Sequence, residues 1–115
     1  MDFFFPEDDL QRLAPEATCI RSLEASPYPD GERVRVNLHL TPFQVRPHIE
    51  LTLTDSDGGE VATASIVEPM SWKLEITMHL RGASRNPFTV TARLFYPDGP
   101  EANPISCTFE AAARQ

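Results

Sequence analysis

The sequence predicts an all-β protein, a single antiparallel β-sandwich of about seven strands, and three observations carry that reading. Apolar and polar residues alternate with a period of two through much of the chain, the spacing of strands that bury one face and wet the other. Turn-forming clusters, drawn from 11 prolines and 5 glycines, cut the alternation into short runs. A chain of 115 residues, 41% apolar and 23% charged, has the size and composition of one globular domain with one core.

The elements follow in order. Residues 1–16 form an N-terminal arm in which Phe3, Phe4 and Phe5 precede the acidic Glu7, Asp8 and Asp9. Residues 17–110 form the sandwich and residues 111–115 a C-terminal tail. The first strand spans residues 18–26, where Ile20 and Leu23 fall out of step and suggest a β-bulge. In the second, Val34, Val36, Leu38 and Leu40 share one face, with Arg33, Arg35, Asn37 and His39 on the other. Ile49, Leu51 and Leu53 line the third strand, opposite His48, Glu50, Thr52 and Thr54. Residues 61–67, rich in small side chains, make a weaker fourth. Trp72, Leu74, Ile76, Met78 and Leu80 are the inward series of the fifth. Phe88, Val90, Ala92, Leu94 and Tyr96 line the sixth, and Ile105, Cys107 and Phe109 the seventh. Helix is limited to one turn in residues 7–13 and another in residues 110–114.

The connections have recognisable turn chemistry. Tyr28-Pro29-Asp30-Gly31 recurs as Tyr96-Pro97-Asp98-Gly99, and reads as one turn solution used twice, with proline pre-set for the second position. Asp55-Ser56-Asp57-Gly58-Gly59-Glu60 reads as a hairpin loop. Thr41-Pro42-Phe43-Gln44-Val45-Arg46-Pro47 is a longer connection whose prolines exclude a central strand. In an up-and-down meander, alternate loops go to opposite ends. One end then collects residues 28–31, 55–60 and 82–87 and is small, polar and acidic. The other collects residues 41–47, 68–71, 96–104 and the arm, and carries Phe43, Val45, Met70, Trp72 and Tyr96.

The order and spacing of the strands, and especially Ile49 to Val67 (IELTLTDSDGGEVATASIV), resemble bacterial immunoglobulin-like and fibronectin type III-like modules over residues 17–110. The resemblance implies an immunoglobulin-like sandwich and a binding or spacer role. The pattern departs from antibody-type domains, because Cys19 and Cys107 fall in the first and last strands and Trp72 in the fifth. The inter-sheet disulfide and packed tryptophan of those domains are therefore not carried over.

Charge narrows the function classes. Ten basic against seventeen acidic residues give −7, and no run of Lys or Arg exists to follow a phosphate backbone. Nucleic acid and anionic membrane surfaces are disfavoured as partners. No apolar stretch is long enough to span a bilayer, and residues 1–9 lack the basic and apolar regions of a signal peptide. Taken as a full-length product, the chain is expected in the cytoplasm. Cys19 and Cys107 match no metal or redox spacing and are expected to be reduced, small buried hydrophobes.

The candidate chemistry is sparse. His39 and His79 point outward from neighbouring strands, His39 opposite Lys73 or Glu75 and His79 opposite Arg33 or Arg35, too far apart to share a metal. Arg33 and Arg35 are expected to pair with Glu75 across the strands. Asp55-Ser56-Asp57-Gly58-Gly59 opens like a calcium loop, but Ile66 stands where the twelfth-position acid belongs, which excludes an EF-hand. A surface calcium site from Asp55, Asp57 and Glu60 is left beside the plainer hairpin turn. No G-x-S-x-G elbow or glycine-rich phosphate loop occurs, Ser71 and Ser84 have no histidine nearby in sequence, and neither cysteine has an evident base. Trp72 reads as core packing, with stacking on a sugar or ligand as the other reading.

These observations point to a non-catalytic protein-binding or assembly module with no cofactor, engaging a protein partner or a second copy of itself. The contact residues expected are Phe3, Phe4, Phe5, Phe43, Met70 and Tyr96, because aromatic, proline-stiffened surfaces make interface hot spots. The arm has two readings. It either folds over the apolar end, where burying two phenylalanines contributes about 3–6 kcal/mol before ordering costs, or docks into a partner. An open sandwich edge offers a second route, by strand addition. A small-molecule or carbohydrate-binding sandwich is the alternative function, and a hydrolase with an unrecognised site the third.

Overall fold

Two antiparallel sheets face each other in the computed structural model, which describes residues 11–80 and 85–112. The described strands are β1 (Ile20–Pro27), β2 (Arg33–Leu40), β3 (His48–Thr54), β4 (Glu60–Val67), β5 (Lys73–His79), β6 (Phe88–Phe95) and β7 (Ile105–Phe109). One sheet has the order β1-β2-β5 and the other β4-β3-β6-β7. The protein is an all-β sandwich, with the 3-10 turn Pro15–Ala17 leading into β1.

Burial follows position within the sheets. The central strands β2, β3 and β6 bury their whole inward rows, from Val34, Val36, Leu38 and Leu40 through Ile49, Leu51 and Leu53 to Phe88, Val90, Ala92 and Leu94. Each large aliphatic side chain removed from water this way contributes about 1.5–3 kcal/mol. The edge strands bury theirs less completely, although Ile20 on β1 and Met78 on β5 are buried. Leu74 and Ile76 on β5, Ala62, Ala64 and Ile66 on β4, and Ile105 and Cys107 on β7 pack against the core but keep some contact with solvent. At the end of β7, Phe109 is buried and stacks on Phe88, ring centroids 5.5 Å apart.

The topology is not the expected meander. Hairpins join β1 to β2, β3 to β4 and β6 to β7, but the chain changes sheet between β2 and β3, β4 and β5, and β5 and β6. The loops nonetheless segregate into the two expected sets, because every strand pairing is antiparallel. At one end Ser56 N donates to Arg85 O at 3.0 Å, and Leu80 N to Glu32 O at 2.9 Å. At the other, Leu13 N donates to Pro42 O at 2.9 Å, Glu68 N to Pro47 O at 3.0 Å, and Thr41 N to Cys19 O at 2.9 Å.

The register shift in β1 falls between Ile20 and Ser22, where the alternation breaks in sequence. The repeated tetrapeptide, by contrast, adopts two conformations. In the first copy the positive φ, 71°, is at Gly31; in the second it is at Asp98, 59°. The first closes a short hairpin between β1 and β2. The second opens the long connection from β6 to β7, so the flanking chain selects the turn type and the tetrapeptide does not.

Candidate functional site

The proline-rich end is assembled from three loops and the segment that precedes β1. Residues 41–47 cross the mouth of the sandwich, and Leu13 pairs with Phe43 in a parallel bridge. Phe43 is only 4% exposed and meets Trp72 edge-on, ring centroids 6.0 Å apart and planes at 89°. Pro42, Pro47 and Pro69, from the loops of this end, are buried as well. Their lack of an N–H donor lets them fill the end of a core without leaving a polar group unpaired.

Tyr96 closes the same end from β6. It is 8% exposed, and its hydroxyl donates to Val45 O at 2.7 Å. Burial pushes the Tyr96 phenol pKa up; Thr18 acts against that by hydrogen bonding, and the Glu16 charge adds to it. Phe43 and Tyr96, two of the residues expected at a contact surface, therefore spend their rings inside the fold. Aromatic residues in loops are drawn inward wherever the mouth of a sandwich would leave core side chains wet.

Met70 is different. It is 85% exposed, and Val67 at 62% and Val45 at 50% are the other large apolar side chains left in water among the described residues. All three belong to this end. Arg46 Nη1 donates to Met70 Sδ at 2.8 Å, and Val67 stands opposite His48, just beyond Pro47. Phe3, Phe4 and Phe5 lie outside the described residues. Val67 was not singled out from sequence, although the outward row of Thr63, Ser65 and Val67 carries no charge.

The opposite end is closed by polar groups. Asp55 Oδ1 accepts from the N–H groups of Asp57 and Gly59, both at 3.0 Å. The carboxylate sketched as a calcium ligand with Asp57 and Glu60 is thus engaged in tightening its own hairpin. Asp30 accepts from Glu32 N at 2.8 Å and from Arg33 Nε at 2.9 Å, and the Glu32 N–H foremost holds its carboxyl below the usual range. Asn86 Nδ2 donates to Ala111 O at 3.0 Å and its Oδ1 accepts from Ala111 N at 2.8 Å.

The remaining candidates are dispersed. His39 stands opposite Lys73 and His79 opposite Arg33, in each case one of the two positions the alternation allows. Glu75 stands opposite Asn37, not opposite an arginine. The expected Arg33–Glu75 pair is replaced by a local one, because Asp30 lies three residues away and Tyr28 places its ring 4.2 Å from the Arg33 guanidinium carbon. No group of three or more His, Cys, Asp or Glu among the described residues is disposed to hold a metal ion. Cys19 and Cys107 are free thiols. Burial, with the Glu24 charge adding to it, pushes the Cys107 pKa up, which is the wrong direction for a nucleophile. Ser84 lies outside the described residues.

No helix among the described residues is long and apolar enough to cross a membrane. No family model matches the chain, and no curated protein matches it in sequence.

Proposed function

We propose that the chain is a non-catalytic protein-binding or assembly module, an immunoglobulin-like sandwich of the fibronectin type III-like kind. The strand order supports that fold reading. The fourth strand pairs with the third and leaves the first sheet with three strands, unlike the four-and-three division of antibody constant domains. The observation that carries the function is the clustering of Val45, Val67 and Met70 at one end. Apolar side chains scattered singly over a surface call for no explanation, whereas a group gathered over a rigid, proline-filled base suits a protein contact.

Site-specific photo-crosslinking in the source cell tests this. A photoreactive residue replaces Met70 in one variant and Asp57, at the opposite end, in another. Discrete adducts are expected from position 70 and not from position 57, with the adduct mass distinguishing a second copy from a different protein. Equal labelling at both positions, or none at position 70, counts against the proposal.

A further inference from the structure

The β-bulge in β1 has a chemical consequence. Ile20 stands opposite Leu40 and Ser22 opposite His39, so Arg21 is the extra residue, re-aimed where the bulge interrupts the ladder. His39 in turn stands opposite Lys73. Arg21, His39 and Lys73 therefore come from three adjacent strands at one level of the sheet. Together with Leu40, Pro42 and Trp72 they line a concavity of about 120 Å³.

Two features set this concavity apart. First, its lining contains no carboxylate, in a chain of net charge −7. The nearest acidic positions in the sheet register, Glu24 and Glu75, flank Asn37 one row further along. Second, most other described basic side chains have partners: Arg33 has Asp30, Arg93 has Glu50 and Glu101, Arg35 has the Tyr28 ring and Arg12 the Trp72 ring. Arg21 and Lys73 enter none of the ion pairs or ring contacts among the described residues. Two cations on either side of an imidazole, with no carboxylate in the lining, gain no ion pair within the fold.

We infer that this concavity is a binding site for an oxyanion group, phosphate or carboxylate, carried on a flat apolar body. Arg21 and Lys73 supply charge-assisted donors and His39 a further ring donor. Trp72, half-buried, met edge-on by Phe43 and with the Arg12 guanidinium over its ring, supplies the remainder of its surface as the apolar wall. A volume of about 120 Å³ is well below the 300–1,000 Å³ typical of drug-sized ligands, so the site takes one head group with its attached ring resting on the rim. This site is independent of the contact proposed around Met70.

Trp72 is the chain's single tryptophan and Lys73 its single lysine, so two unique reporters line the site. Trp72 fluorescence is followed while phenyl phosphate, benzoate, inorganic phosphate or acetate is added at constant ionic strength. The amide resonances of His39 and Lys73 are followed in parallel, so that a silent fluorophore is not mistaken for an empty site. Saturable binding of phenyl phosphate or benzoate is expected, tighter than that of the corresponding free anion, and the tighter of the two names the head group. Arg21→Gln and Lys73→Met should each weaken it by about tenfold with the melting temperature nearly unchanged, while Glu24→Gln should leave it intact or tighten it. Absence of saturation by both aromatic probes, or saturation unaffected by Arg21→Gln and Lys73→Met, overturns the site. Inorganic phosphate binding as tightly as phenyl phosphate overturns the role given to Trp72.

Discussion

The two ends of the sandwich solve the same problem with different chemistry. Each must cover core side chains where the strands stop. The end built from residues 28–32, 55–59 and 85–87 does so with short turns whose backbone donors are satisfied by Asp30, Asp55 and the backbone of neighbouring loops. The other end uses apolar bulk: Phe43, Tyr96, Pro42, Pro47 and Pro69. A polar cap ends cleanly at the water surface, because its outermost groups are themselves hydrated. An apolar plug does not, and leaves Val45, Val67 and Met70 in solvent. The difference puts the buried aromatic plug and the candidate contact surface at the same end, but in different residues.

Removing the plug should have the largest effect. Phe43→Ala deletes a buried ring that touches Trp72 and backs the bridge to Leu13, and a loss of about 3–5 kcal/mol in urea unfolding is expected. A loss near 1 kcal/mol would mean that the mouth of the sandwich collapses to fill the space, and that the apolar end is closed by more than its aromatic residues.

Tyr96→Phe comes next, at about 1–1.5 kcal/mol, from the loss of the hydrogen bond to Val45 O. This residue also gives the end a pH signature. Its phenol pKa is raised in the folded state from the ordinary 10.0, foremost by burial. The neutral form is thus favoured by folding, so the contribution is complete below pH 10.0 and is lost as pH rises through the higher folded-state pKa. Unfolding free energy measured from pH 9 to 11 should fall less steeply in Tyr96→Phe than in the parent chain. Parallel slopes would show that Tyr96 titrates as freely as in the unfolded protein.

At the polar end the effects should be smaller. Asp55→Ala removes the acceptor for two loop N–H groups, but those groups lie where water can replace it, so about 0.5–1 kcal/mol is expected. A loss matching that of Phe43→Ala would erase the distinction between the two ends.

What the sequence made legible, and what it did not, follows the range of the interactions. Period-two alternation located five of the seven strands, and a broken alternation and a run of small residues marked the other two. Counting along the pattern narrowed the partner of His39 to Lys73 or Glu75 and that of His79 to Arg33 or Arg35, of which the register takes Lys73 and Arg33. It could not tell central strands from edges. Leu74 and Ile76 carry the same signal as Leu51 and Leu53, yet they are only half-buried, because β5 closes one side of its sheet. Sheet order depends on contacts distant in sequence, and no local pattern encodes it. Arg33 was assigned across the strands when a closer carboxylate was available in the turn before it. Arg21 was overlooked because the bulge that delivers it to His39 and Lys73 is a break in the pattern used to count faces. The aromatic residues of the proline-rich end were read as surface for a related reason: loop composition shows where the chain turns, but not which side chains the open mouth of the sandwich draws in.

The smallest stability effect is the one that separates a contact surface from a plug. Met70 is almost fully in water, and its polar contact is with the side chain of Arg46, itself exposed. Met70→Glu should therefore change the unfolding free energy by less than about 0.5 kcal/mol, as substitutions at surface positions without special packing do. It should nevertheless abolish adducts from a photoreactive residue placed at Val67, since a carboxylate set into an apolar contact loses its hydration with no partner. The two readouts are opposed by design. A large loss of stability would show that Met70 belongs to the plug, like Phe43, and unchanged crosslinking would show that the apolar rim is a by-product of closing the sandwich with bulk and not a surface for a partner.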